Sequence, residues 1–382
     1  MRFTRCVIML GLIFVMAGVS NAGPADLASQ AASALREGDS ALAARLFEEI
    51  VTVYPASSEA PSAALRRAYL GLRQEEIDSE RLFVRVTAMF SQSAQAADAL
   101  RRLGYLKQRQ GNLEAAQSYF WLAASHPRQT KKGKADSLVN WAYADVSKYF
   151  GAGLPDKPRS DGTSAVPSDR RIKATQRLEA ARTKFNLVVN TLGNDPDTAA
   201  YASFAQAGIG ETYILEQQWE EAENAYRAAL DNYGKLPAPL KALSHHGLAI
   251  SYKHSCDFVA ALLEDQLALE NAHPGQAFLG ASSDLIRADA ASVTAVLLMG
   301  KQQYAEAVDL LATTLTELSA AGASAGDLRE AVARVAAWKV IALHRAGRSM
   351  ERDAALQDVL QTFPGTEAAD KALSWSLKYG WG

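Results

Sequence analysis

Apolar positions along most of this chain recur three or four residues apart, the spacing that lines one face of a helix. Two stretches repeat the same order of residue types. The first runs through Leu103-Gly104, the turn Gly111-Asn112-Leu113, then Ala116, Phe120 and Ala123. The second runs through Ile209-Gly210 and Tyr213, then Trp219, Ala222, Tyr226 and Ala229. Fainter copies use Leu248, Tyr252, Phe258, Ala261 and Ala268, and then Tyr304, Ala307 and Leu311. Near the start, Gly38-Asp39, Ala43, Phe47, Ile50 and Pro55 match the second half of the unit, and Phe363-Pro364-Gly365 closes the last helix much as Tyr54-Pro55 does there. Runs of Val, Ile and Thr bounded by hairpin turns are nearly absent.

This spacing predicts units of two helices, A and B, joined by a tight turn. The Gly or Ala after the apolar residue of helix A lets helix B come close, and the small residue early in helix B answers it. The aromatic four residues later fills the space between neighbouring units. Proline after helix B stops it, because proline cannot continue a helix.

These residues resemble the tetratricopeptide repeat family, most closely over 97–127 and 203–233, with weaker similar units from about Ala25 to Lys378. The resemblance implies an all-α fold, an α-solenoid in which helix-turn-helix repeats stack into a superhelix. Two departures stand out. The tryptophan that the family places near the start of helix A is replaced by Leu100, Gln206 and His245. The matching alanines Ala116, Ala222, Ala261 and Ala307 lie 106, 39 and 46 residues apart, where a strict period would give multiples of about 34.

One segment breaks the pattern. Residues 151–170 hold three glycines, three prolines and no large apolar cluster, which predicts an exposed loop. It is either an insertion between the two helices of one unit or a linker between lobes at 23–150 and 171–382. Its role is a tolerated surface insertion or a docking loop.

The first residues bear on compartment. Arg2 and Arg5 precede an apolar run of 13 residues, Val7 to Val19, and Ser20-Asn21-Ala22 offers small residues for cleavage after Ala22. This is the pattern of a secretory signal over 1–22. The run is shorter than the roughly 20 residues a spanning helix needs. Position 23 is Gly, so a lipoprotein is not expected. The chain is therefore expected to be periplasmic or secreted, with no transmembrane anchor after cleavage. Cys6 would leave with the signal, and Cys256 alone makes no internal disulfide. Its ordinary reading is a small buried residue in a helix.

Charge narrows the partners. Removing the first 22 residues takes away Arg2 and Arg5 and no acid, moving the formal net charge from −2 to −4. A near-balanced chain without a basic stripe is not expected to bind nucleic acid. The 48% hydrophobic content is that of a packed globular protein.

Catalytic motifs are missing: there is no phosphate-binding loop, no G-x-S-x-G elbow, no H-E-x-x-H and no paired C-x-x-C. The nearest approach to a metal cluster is His245, His246, His254 and Cys256. His246 and His254 would stand roughly 12 Å apart on one helix at 1.5 Å per residue. No metal, cofactor or catalytic residue is expected. Glu220, Glu221 and Glu223 suit a helix start.

The family resemblance implies a partner-binding groove on the inner face, lined by helix A. Its positions would be Arg101, Tyr105, Gln108 and Arg109, then Phe204, Glu211 and Ile214, then His246, Ile250 and Lys253. Trp375, Tyr379 and Trp381 form a separate aromatic group, either a cap on the last helix or an exposed anchor. The function expected is that of an exported scaffold holding a protein or peptide partner in the cell envelope, in outer-membrane assembly, polysaccharide export or cell-wall coordination. The alternative is a glycan- or peptidoglycan-binding or lytic protein built on a helical superhelix.

Overall fold

A computed structural model describes residues 22–73, 78–150, 168–234, 236–320 and 327–381. Over these residues the chain is a succession of paired helices, the all-α solenoid expected from the repeats. The pairs are α1 (Pro24–Arg36) with α2 (Ser40–Val53), α3 (Ala60–Arg73) with α4 (Ser79–Met89), α5 (Ala94–Arg109) with α6 (Leu113–Ser125), and α7 (Lys131–Phe150) with α8 (Ser168–Leu192). Then come α9 (Ala199–Leu215) with α10 (Trp219–Asp231), α11 (Ala238–His254) with α12 (Phe258–Asn271), α13 (Ser283–Gly300) with α14 (Tyr304–Ala320), and α15 (Asp327–Arg345) with α16 (Ser349–Thr362). A single helix, α17 (Glu367–Tyr379), follows.

The chain divides into two compact units, Met1–Ala99 and Leu100–Gly382. The boundary falls within α5. The expected signal, residues 1–22, lies outside the described residues but for Ala22, as does 151–167 of the expected insertion. The helices on either side of that segment, α7 and α8, pack against each other as one pair.

Six A-to-B turns share one construction. A residue with positive φ follows helix A: Gly38, Gly111, Gln217, Cys256, Gln302 and Gly347. The next amide then reaches back to helix A, as in Asp39 N–H to Ala34 O (2.8 Å), Asn112 to Lys107 O (2.9 Å), Gln218 to Tyr213 O (2.9 Å) and Asp257 to Tyr252 O (2.9 Å). This is a helix end closed by a left-handed residue. Asp39, Asn112 and Asp257 then cap helix B by accepting the amides of Leu42, Ala115 and Ala260. Glycine takes the left-handed position freely, whereas Gln217, Cys256 and Gln302 hold it against a cost of about 1 kcal/mol each. Cys256 is therefore an exposed turn residue, and not the buried helical residue expected from its type.

The close approach read from the glycines is realised. A Cβ on Gly104 would stand 2.6 Å from the Phe120 ring, and one on Gly210 2.7 Å from the Tyr226 ring. Tyr226 also occupies the space beside Gly247 of the next A helix, so one ring is held by glycines of two units. The same device appears where the repeat spacing hid it. Phe185 of α8 is fully buried against Gly208 of α9, and Ala181 and Val188 pack at the positions of Ala116 and Ala123.

A short antiparallel hairpin that no sequence pattern announces, β1 (Ala277–Phe278) and β2 (Ala281–Ser282), lies between α12 and α13. Leu279 and Gly280 form its tip, both with positive φ (50° and 95°). Such tips favour Asn-Gly or Asp-Gly, and Leu-Gly carries no such signal. The base is tied down by the Ser283 amide donating to Gln276 O (2.9 Å), the Gly275 amide donating to Asp284 (3.0 Å) and Arg287 donating to Ala272 O (2.9 Å).

At the C-terminal end, Trp381 folds back over α17. Its amide donates to Ser376 O (2.9 Å), its ring lies 4.8 Å from that of His344, and Arg352 sits over it at 5.1 Å. Trp381 is buried, so it caps the last helices; Tyr379 stacks on it and stays part-exposed. Trp375 packs on Trp338.

Candidate functional site

The A helices of five successive pairs in the Leu100–Gly382 unit converge on a cavity of about 570 Å³. Tyr105 and Gln108 enter it from α5; Asn140, Tyr143 and Ser147 from α7; Phe204 and Glu211 from α9; and Leu243 from α11. The hairpin and the start of α13 complete the wall through Leu279–Ser282, Leu285 and Ile286. Phe278 anchors the hairpin there, its ring 5.8 Å from Tyr201 and 6.4 Å from Phe204.

The α5 end of the cavity is fixed by a buried polar network. Asp136, only 3% exposed, accepts Arg101 (2.6 Å), the Tyr105 hydroxyl (2.7 Å) and the Asn140 amide (3.1 Å). Asn140 also donates to the Tyr105 oxygen (2.9 Å), leaving that ring little freedom. Burial and the neighbouring carboxylate hold the Tyr105 phenol far above its ordinary pKa, so it stays a hydroxyl donor.

Glu211 is the carboxyl of the opposite wall. Burial raises its pKa above the usual carboxylate value, and the hydrogen bond from Tyr143 lowers it only in part. Tyr143 packs its ring 5.3 Å from Phe204 and 5.0 Å edge-on to Phe185. Burial and the Glu211 charge raise its own pKa well above the ordinary phenol value. Apart from Gln108, Ser147 and Ser282, the remaining lining is apolar and aromatic. The cavity thus combines rings, two side-chain amides and a single carboxyl, where glycosidic hydrolysis draws on a pair.

Of the positions assigned to the groove, Tyr105, Gln108, Phe204 and Glu211 come together in this cavity. Arg101 stands beside it, bound to Asp136. Arg109 is exposed at the end of α5, and Ile214 packs against the cluster around Tyr226. Ile250 and Lys253 are half-buried on α11 outside the lining. His246 is not a groove residue. It is buried, with Nδ1 2.8 Å from Asp265 of α12, because its ring turns into the space between the two helices of its own pair. Burial disfavours charge on that ring, but the bond to Asp265 and the carboxylates of Asp265 and Asp289 outweigh it and raise its pKa. His245 binds Glu264 (2.7 Å) and His254 stacks on Trp219 (4.1 Å). Among the described residues, no group of three or more His, Cys, Asp or Glu is placed to hold a metal ion, and no helix is long and apolar enough to cross a membrane.

Asn140, Tyr143 and Ser147 were not assigned to the groove. With Asp136 they stand four, three and four residues apart, a polar stripe along α7 visible in the sequence. The hairpin residues left no such trace.

No sequence-family model matches the chain, and no curated protein sequence matches it. The likeness is structural. A tetratricopeptide repeat protein from Parabacteroides merdae is 10% identical and superimposes with a TM-score of 0.50, covering 81% of this chain and 97% of its own. The apo form of the quorum sensor NprR from B. thuringiensis is 13% identical over 92% of this chain and 97% of its own, with a TM-score of 0.48. The fold is thus of the tetratricopeptide type, a helical-repeat solenoid.

Proposed function

We propose that this protein is a binding scaffold that holds an extended segment of a protein partner in the cavity of the Leu100–Gly382 unit. The observation that carries this reading is the convergence of side chains from five successive A helices on one cavity of about 570 Å³. Rings supply contact area at small entropic cost, and Gln108 and Asn140 offer groups that match a peptide backbone. The fold is one that commonly hosts peptide recognition on its inner face. The basic, apolar and small-residue order of positions 1–22 supports export, so the partner belongs to the cell envelope.

The test is site-directed photocrosslinking in cells. A crosslinker at Gln108 should trap one protein that a crosslinker at Val259, 72% exposed on α12, does not. Ser147→Trp, which fills the cavity, should abolish the adduct. An identical pattern from both positions would remove the reading, and transfer to cell-wall fragments would replace it with glycan binding. Export is tested by the mass of the mature chain, expected to start at Gly23; a retained 1–22 segment would overturn it.

A further inference from the structure

Three acids of the same unit are neutralised within the protein: the buried Asp136 by Arg101 (2.6 Å) and Asp145 by Lys184, and the half-buried Glu216 by Arg182 (2.6 Å). Glu211 is built differently. It lies in the cavity wall among Tyr143, Phe204 and the aliphatic side chains of Leu243 and Ile286, and its hydrogen-bond partner is the Tyr143 hydroxyl. Among the described residues no cation pairs with it. A carboxylate held without a cation in a largely apolar wall is costly, and it either takes up a proton or gains from a charge that arrives from outside.

The surroundings say which charge. Tyr105, Tyr143 and Phe204 face the same space, and aromatic faces attract organic cations. The Leu and Ile side chains suit a methylene stem. The Tyr143 bond already engages the carboxyl, which takes away the two-oxygen face that a guanidinium fork prefers and leaves a site for a point charge.

We propose that the cavity receives the alkylammonium group of a lysine presented by the partner's extended segment, with its charge at Glu211 and its stem against the rings. This rests on the partner-binding reading and names what that partner must carry.

The experiment uses the mature chain, immobilised, and amide-capped heptapeptide pools. Each pool has degenerate apolar and small flanks and one fixed centre: lysine, Nε-acetyl-lysine, norleucine or arginine. The lysine pool should be retained at least tenfold better than the acetyl-lysine and norleucine pools and better than arginine. Glu211→Gln should erase that preference while still retaining norleucine peptides. Ser147→Trp, which leaves Glu211 in place, should lower retention of every pool. Retention of norleucine peptides without a lysine preference removes this inference and leaves peptide binding standing; no retention of any pool removes both. A preference that survives Glu211→Gln, or one for arginine, overturns the assignment. Free cadaverine should compete only at concentrations far above those of the peptides. Competition as strong as the peptides' own would make a small amine the ligand and overturn the partner's lysine.

Discussion

Asp136 and Glu211 sit on the A helices of neighbouring pairs, and each carboxyl meets a tyrosine hydroxyl. Their surroundings differ in one respect. Asp136 is closed off by Arg101, Tyr105 and Asn140, so its charge is spent on fixing α5 against α7. Glu211 has Tyr143 and rings, and burial pushes its pKa up. On the reading proposed above, one fold uses the same group in two ways. A buried carboxylate with its own cation serves the framework, and one without is available to a ligand.

The comparison breaks most sharply at Asp136. Asp136→Ala removes the carboxylate that Arg101, the Tyr105 hydroxyl and the Asn140 amide share. A loss of about 3 kcal/mol is expected, the range for breaking a buried ion pair by removing one partner. Urea denaturation reads it as a lower midpoint at unchanged slope. A midpoint equal to wild type would mean that Asp136 is not the centre of that network.

Next in size is Gly210, which precedes Glu211 on α9. The Tyr226 ring stands where a Cβ would go, at 2.7 Å, and Gly247 closes its other side. Neither ring nor helix has room to yield, so Gly210→Ala should cost about 2 kcal/mol through overpacking. That corresponds to roughly 3–4 °C in Tm for a unit of this size. The same change tilts the wall that carries Glu211, so the lysine preference should fall with it. A Tm unchanged by Gly210→Ala would undo the account of that interface.

Much of this was legible in the residues. The Gly104–Phe120 and Gly210–Tyr226 spacings announced the helix pairs, because a ring can pack there only against a residue without a side chain. Tyr105, Gln108, Phe204 and Glu211, positions that the family resemblance implied, line one cavity. The pair α7–α8 was harder. Ala181 and Phe185 repeat the spacing of Ala116 and Phe120, but long helices and the segment between them displaced the period. His246 was misplaced because the family resemblance assigns a face of helix A, and a residue near the edge of that face can turn toward Asp265 of its own pair. The hairpin was hidden for a physical reason. Its tip conformation goes with the packing of Phe278 on Tyr201 and Phe204 and of Leu279 in the cavity wall, and local turn chemistry does not ask for it.

The smallest effect has the most telling sign. Burial raises the pKa of Glu211, so the folded protein holds that proton more firmly than the unfolded chain. Its contribution to stability is then fully present below the unfolded-state value of about 4.3 and is lost as pH rises through the folded value. Glu211→Gln keeps the shape and can still accept from Tyr143, but it does not titrate. The variant should therefore match wild type near pH 4 and become more stable as pH rises, by on the order of 1 kcal/mol at neutral pH. Other titrating groups are common to both chains and cancel in the difference. A series of paired melts from pH 4 to pH 8 measures it. Should wild type instead gain on the variant with rising pH, the carboxylate would have a cation of its own within the fold. Glu211 would then be a second Asp136, and the contrast between the two walls would collapse together with the pocket for lysine.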